Sequence, residues 1–329
     1  MTWMLRYDLR SAPGIGAPHD KLYPAVLEQS AWADRHGCDG FLFAEHHESP
    51  DGYLPSPAAL AAAVAARTAH GRLLIVQTPL RDPFAMAEDI AVVDNISSGR
   101  VELLLTMGYV PAEFAFYGEQ FAHRVGTFLE KSAVLLSLLA GERVHYRGRG
   151  GTVTPRPVQR PRPPVRFGGA TPASARRAAR MADAYMPMIP DPQLLEIYRD
   201  ECARLGGTPL AYPFPGAGLS VIVTEDPERT WAVVAPCLRH DANSYARWRS
   251  AEPTASPYQT LSSDSEIRNS GLHSVVTPDE CVSLARQVPA PASLLLHPLA
   301  GGVPPDVGWQ SLHLFVDKVL PPLASGSPQ

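Results

Sequence analysis

Phe41-Leu42-Phe43-Ala44-Glu45-His46-His47 is the stretch on which the fold turns. The run from Gly40 to Ala44 is short and apolar, as expected of a parallel strand buried on both faces. It stops at one acid and two adjacent histidines, followed by Glu48, Ser49, Pro50, Asp51 and Gly52. Titratable groups placed where a buried strand empties into a loop are the usual arrangement of an α/β active site. Imidazole is the side chain best suited to move a proton near neutral pH. Neighbours at a strand end point to opposite sides, so only one of the two histidines can face a given pocket. A structural pair at a barrel rim would look the same. As metal ligands the pair lacks the i, i+4 spacing of a zinc-binding helix.

Outward from this strand the chain alternates. Residues 3–9 read as a first strand. Residues 22–36 have helical spacing and stop at Gly37, a good helix-ending residue. Beyond the second strand, 57–68 is helical, 73–77 a strand, 83–96 a helix, 101–106 a strand and 123–140 an amphipathic helix. The second half continues with a short hairpin at 146–153, strands at 165–168, 185–188, 219–223 and 294–297, and helices at 174–181, 193–205, after Asp226 and at 307–319. About eight βα units point to a (β/α)8 TIM barrel, and a doubly wound open sheet fits the alternation nearly as well. The expected organisation is one barrel domain over residues 1–322, with a short tail at 323–329. An irregular insertion is expected at about 239–273, where Tyr245, Trp248 and Tyr258 lie among polar residues. A loop of that length at a barrel mouth reads as a lid.

Composition narrows the class. The 329 residues are 45% hydrophobic and 19% charged, enough apolar material for a large core. The net charge of −4 gives no reason to expect nucleic acid or an anionic membrane as partner. No uninterrupted apolar run approaches the roughly 20 residues of a membrane span. Arg6, Asp8 and Arg10 break up any apolar leader. Cys38, Cys202, Cys237 and Cys281 are far apart and make no CxxC or zinc-finger spacing, so buried thiols in a reduced, cytoplasmic protein are expected.

A second motif comes after the strand at 165–168. Gly168-Gly169-Ala170-Thr171 runs directly into Pro172-Ala173-Ser174-Ala175, a strand, a glycine turn and a helix start. Unpaired backbone N–H groups and the helix dipole favour an anion there, and Thr171 and Ser174 can add hydroxyls. An ordinary capped helix has the same pattern. Gly14-Ile15-Gly16 lacks the third glycine of a dinucleotide fingerprint. Gly301-Gly302 suits either a turn or a flat ring close to the backbone. The run 155–164 (PRPVQRPRPP) reads as a stiff connector, with an SH3-type docking segment as the alternative. No nucleophile elbow or phosphate-cradling Walker loop is present.

Taken together, several ordered motifs resemble one family. Residues 82–118 (DPFAMAEDIAVVDNISSGRVELLLTMGYVPAEFAFYG) resemble the central signature of the bacterial luciferase-like flavin monooxygenases. Glu45-His46-His47 is similar to that family's acid and two histidines at the end of strand two. Pro157-Val158-Gln159 leading to Gly168-Gly169, and His297-Pro298-Leu299 with Gly301-Gly302, resemble its later segments. The likeness spans nearly the whole chain and is weakest at 239–273. It implies a TIM barrel, a homodimer, and reduced FMN, or in a sister branch the deazaflavin F420. It further implies His46 beside the ring as proton donor or acceptor and Thr78 near the ring. Gly108 and Tyr109 would flank the flavin, and Gly169, Ala170, Thr171 and Ser174 would hold its phosphate. The luciferases proper carry an arginine just before the glycine of the fourth loop. Met107 stands there in this chain, which leaves the phosphate to backbone donors and keeps F420 open.

The expected activity is oxygenation of a small organic molecule with reduced FMN and O2, the FMN reduced by a separate reductase. That no nicotinamide fingerprint is visible suits such a two-component system. An F420-dependent hydride transfer, a flavin-binding protein without catalysis, and a metal-dependent barrel hydrolase built on His46 and His47 are the alternatives. Tyr53, Phe116, Tyr117 and Trp248 are candidates for a rim that meets the organic molecule.

Overall fold

The computed structural model describes residues 1–249 and 258–324. Nine strands run parallel among the described residues: β1 Trp3–Tyr7, β2 Gly40–Phe43, β3 Arg72–Gln77, β4 Val101–Leu105, β5 Val165–Gly169, β6 Ala184–Pro187, β7 Val221–Val223, β8 Ser274–Val276 and β9 Leu294–Leu296. Helices separate nearly all of them, so the protein is α/β. Val144–Tyr146 and Arg149–Gly151 form the expected antiparallel hairpin. The chain groups into two compact units. One comprises Met1–Leu42, Ser49–Leu54 and Pro213–Gln329, and the other Phe43–Glu48 and Pro55–Tyr212.

In the second unit the strand order is β3-β4-β5-β6. The strands are runs such as Leu73-Leu74-Ile75 and Leu103-Leu104-Leu105, at most 2% exposed, as a sheet covered on both faces requires. The register sets Gln77 beside Leu105 and Leu105 beside Phe167. The next residues, Thr78, Thr106 and Gly168, therefore emerge at the same end. Helix Pro83–Ile96 begins at Asp82, whose carboxylate accepts from the N–H groups of Phe84 and Ala85. It packs against helices Pro57–Ala65 and Arg124–Leu139. The proline-rich run leads into β5 and is anchored through Gln159. Gln159 donates its backbone N–H to Asp94 (3.0 Å) and its side-chain amide to Asp94 (2.7 Å) and to the Val101 carbonyl (2.8 Å). That fixes the run just before β5.

In the first unit the order is β8-β7-β9-β1, with Leu5 beside Leu296 and Leu296 beside Val221. The three-residue β8 is the strand that the alternation does not announce. The expected irregular insertion needs correction. Helix Pro227–Arg249 covers its first part, and Asp264–Asn269 is a further helix. The long helix buries Trp231, Val234, Leu238 and Ala242 against Ile222, Ile267 and Val275. Residues 250–257, at the centre of the proposed lid, lie outside the described residues. The last helix runs over Leu320–Ala324, two residues into the expected tail, and 325–329 lie outside the described residues.

The first unit also contains a buried ionic centre. Asp8, Arg10, Asp51, Asp241 and His297 are each at most 3% exposed. Nη1 of Arg10 lies 3.2 Å from Asp241 and its Nε 3.4 Å from Asp51. The Arg10 guanidinium stands 4.8 Å from each of the ring centroids of Tyr53, Tyr245 and Trp248. His297 Nε2 faces Asp8 at 3.3 Å, His240 Nε2 faces Asp51 at 2.8 Å, and His273 Nε2 faces Asp241 at 3.5 Å. Burial drives the Asp8 carboxyl up, but His297, Arg6 and Arg10 outweigh it and hold it far below the usual range. Against burial, His240 and Arg10 bring Asp51 down to about 2. Burial lowers the imidazole of His297, an effect that Asp8 only partly offsets.

All four cysteines are free and buried, and burial raises Cys237 to about 11 and Cys281 to about 12. Among the described residues no helix is long and apolar enough to cross a membrane.

Candidate active site

The polar centre of the second unit is built from the segments that leave the C-terminal ends of β2, β3, β4 and β5. After β2 the chain delivers Glu45, His46 and His47, each at most 9% exposed. Glu45 is a structural acid. One of its oxygens accepts the Thr78 N–H (2.8 Å) after β3, and the other stands 3.5 Å from His47 Nε2. The Thr78 hydroxyl meets that of Thr106 at 3.2 Å. Gly108 has φ +78°, and a Cβ there would sit 2.8 Å from Thr78 Cγ2. Only glycine fits that turn without displacing Thr78.

The two adjacent histidines have different partners, as their alternation requires. His46 Nδ1 lies 2.7 Å from Oε1 of Glu113, on helix Pro111–Phe116, and that oxygen also accepts the His47 backbone N–H at 2.8 Å. His46 Nε2 lies 3.1 Å from the Tyr109 hydroxyl. The Tyr109 ring stands edge-on to the imidazole at 76°, with centroids 5.5 Å apart. His47 Nδ1 meets the Tyr117 hydroxyl at 3.2 Å. Burial first, and then Glu45, raise the Tyr117 phenol.

Sequence reasoning gave Glu113 no role, although the Glu-Phe pair belongs to the motif at 82–118. Its carboxylate is buried and both its hydrogen bonds reach back 66 and 67 residues, a pairing with no local signal. Tyr117 entered as a rim aromatic and proves to be a histidine partner.

The turn after β5 brings Gly169, Ala170, Thr171 and Ser174 together as expected, and it is closed by a capping box. Thr171 Oγ1 accepts the Ser174 N–H, while Ser174 Oγ accepts the Thr171 N–H and donates to the Thr171 carbonyl at 2.6 Å. Tyr185 donates its hydroxyl to the Gly169 carbonyl at 2.9 Å. A Cβ on Gly169 would stand 2.3 Å from the Ser174 side chain, so this glycine serves close packing of turn on helix. Ser174 has already spent its proton, and Pro172 has no N–H. The Ala170 and Ala173 N–H groups and the Thr171 hydroxyl proton are among the donors this turn can offer an anion. Arg177 is half-buried, its guanidinium stands 5.9 Å from the centroid of the Phe128 ring, and burial lowers its pKa. A helix start with such donors fits a phosphate. Thr78 and Gly168 connect the two halves of the site, since a Cβ on Gly168 would meet Thr106 Cγ2 at 3.0 Å. His46, Thr78, Gly108 and Tyr109 thus form one cluster and Gly169 to Ser174 a second, joined through Thr106.

Among the described residues no group of three or more His, Cys, Asp and Glu side chains could hold a metal ion, so the hydrolase alternative has no metal site there.

Solved structures share this fold. The monooxygenase RslO1 from Streptomyces bottropensis superimposes with a TM-score of 0.70 at 24% identity, covering 98% of this chain and 100% of that one. The oxygenating constituent of 3,6-diketocamphane monooxygenase from Pseudomonas putida, in complex with FMN, gives 0.69 at 17%, covering 98% of each chain. An F420-dependent secondary alcohol dehydrogenase, in complex with an F420-acetone adduct, gives 0.71 at 16%, covering 97% of this chain and 98% of that one. The fold is therefore the (β/α)8 TIM barrel of these enzymes. The model of the luciferase-like monooxygenase family matches residues 4–282, and the chain is an oxidoreductase that belongs to that family.

Proposed function

We propose that the protein is a flavin-dependent monooxygenase that uses reduced FMN and O2 to oxygenate a small organic molecule. The observation that carries this reading is the pairing of two features in one unit. A buried, hydrogen-bonded histidine stands beside the Gly108 turn, and a helix start with anion-compatible donors comes after the next strand. The first suits proton management beside a flat ring, the second a phosphate. Relatives in fold bind FMN or F420, which supports a cofactor of this class. Bound reduced FMN would supply electrons and activate oxygen. The turn from Gly169 to Ser174 would hold the phosphate through the Ala170 and Ala173 N–H groups and the Thr171 hydroxyl, Gly108 would let the ring approach the backbone, and His46 would hold or move a proton at Nε2. FMN reduced by a separate reductase, a homodimeric assembly and a cytoplasmic location belong to the same proposal.

The F420 reading has one observation in its favour. Met107 stands where an arginine would pair with the FMN phosphate. Anaerobic titration with reduced FMN and with reduced F420, followed by flavin absorbance, separates the two. Saturable FMN binding and substrate-dependent oxygen uptake are expected. Saturation by F420 alone with no oxygen uptake would replace the monooxygenase by a hydride-transfer enzyme. FMN binding without turnover of any organic substrate tested would favour a binding protein.

A further inference from the structure

We infer that Tyr109 is the group that exchanges the proton with the bound reactant, and that Glu113 and His46 act behind it as a relay. The inference rests on the proposed oxidoreductase site but not on which flavin occupies it.

Glu113 fixes the tautomer. Its Oε1 accepts the His47 N–H and stands 2.7 Å from His46 Nδ1. An ionised carboxylate is acceptor-only, so Nδ1 must carry the imidazole proton. Neutral His46 then presents a bare Nε2, and the hydroxyl 3.1 Å away, on Tyr109, donates to it. The three groups run outward. The Glu113 side chain is 3% exposed, that of His46 10%, and Tyr109 is half-buried. The member best placed to touch a reactant is therefore the phenol, with the imidazole one bond further in.

The transfer balances without any other reagent. A proton leaving the reactant bonds to Tyr109 Oη as the phenol's own proton passes to His46 Nε2. The imidazolium formed is held against the Glu113 carboxylate, and the reverse sequence returns the proton to a product oxygen. The logic is that of a serine, histidine and aspartate triad with a phenol in the outer place. His47 cannot do the same. Its Nδ1 meets Tyr117, but its Nε2 is 3.5 Å from Glu45 and makes no hydrogen bond.

The test starts without flavin. In protein labelled with ¹⁵N-histidine, His46 should carry its proton on Nδ1 with Nε2 bare. Tyr109→Phe should move the Nε2 resonance and leave Nδ1 in place. A His46 protonated on Nε2 in the neutral protein would overturn the relay, whatever the flavin result. In turnover, Tyr109→Phe should lower kcat by roughly 10²-fold or more, the scale of a general acid or base, with KM and flavin affinity little changed. Glu113→Gln keeps the shape and removes the charge that holds the imidazolium, so it should lower kcat with KM and flavin affinity little changed. Unchanged kcat in Tyr109→Phe would remove the phenol from the reaction. Failure of the unaltered protein to bind flavin would sink the proposed function and leave the tautomer result standing.

Discussion

The two polar centres of this molecule are made of the same residue types and are arranged for opposite ends. In the first unit Arg10 is enclosed by three aromatic rings and faces three aspartates, each of which also faces a histidine. Nothing in that centre is more than partly open, and Asp8, Asp51 and His297 are all held below their ordinary values. In the second unit His46 and His47 each face a carboxylate on one side and a phenol on the other, and His46 keeps 10% of its side chain exposed. Compensated charge in a closed interior fixes a conformation. A graded path from buried acid to accessible phenol can move a proton.

Removing one group from each centre puts this contrast to the hardest test. His46→Ala should lower turnover by about 10²–10⁴-fold, while the melting temperature moves little, because Glu113 keeps its bond to the His47 N–H. Stopped-flow and steady-state kinetics with urea unfolding would check both halves. A large loss of stability with normal turnover would make His46 structural. Arg10→Met should do the reverse. It leaves Asp51 and Asp241 buried without their guanidinium and should cost about 3–5 kcal/mol of stability in chemical denaturation.

A smaller effect is expected at the turn after β5. Thr171→Ala removes a phosphate donor as well as the acceptor of the Ser174 N–H, so it should weaken FMN by roughly 1–3 kcal/mol more than it weakens riboflavin. Ser174→Ala should act on FMN and riboflavin alike, since its hydroxyl closes the cap. Calorimetric titration of both ligands against both variants decides, and equal losses of FMN and riboflavin in Thr171→Ala would move the phosphate elsewhere.

The mildest prediction concerns acid. His297 is held below its ordinary value of 6.5, so below 6.5 the unfolded chain binds a proton that the folded one resists. Stability should therefore fall as pH drops from 6.5. Asp51, ordinarily 3.8 and here about 2, contributes stability that is fully present above 3.8 and lost as pH falls through about 2. Asp8 acts in the same direction. Urea midpoints across this range should show both stages, and His297→Gln should lack the first.

Why one centre was legible in the sequence and the other was not is a matter of its chemistry. His46 stands out because a buried apolar run ends abruptly in charge, and the strands of the second unit are long enough to show their period. The helix Pro227–Arg249 disappears from an apolar reading after Leu238. Its buried face there carries Asp241 and Ser244, and Pro236 interrupts the pattern. A polar core looks like a polar surface when read one residue at a time. The Thr171 and Ser174 motif was legible as a helix start, but which hydroxyl proton remained available depended on the closed cap. Glu113 was visible only as a letter, because its partners lie on another strand end.

The capping box at Thr171 has a kinetic consequence. Ordering a flexible turn costs on the order of 1–2 kcal/mol of backbone entropy per residue. Here that cost is met while the chain folds, since Thr171 and Ser174 already hold one another. An anion arriving at this helix start meets a finished surface and has no loop to close. Association of the proposed phosphate at this point should be governed by diffusion and charge.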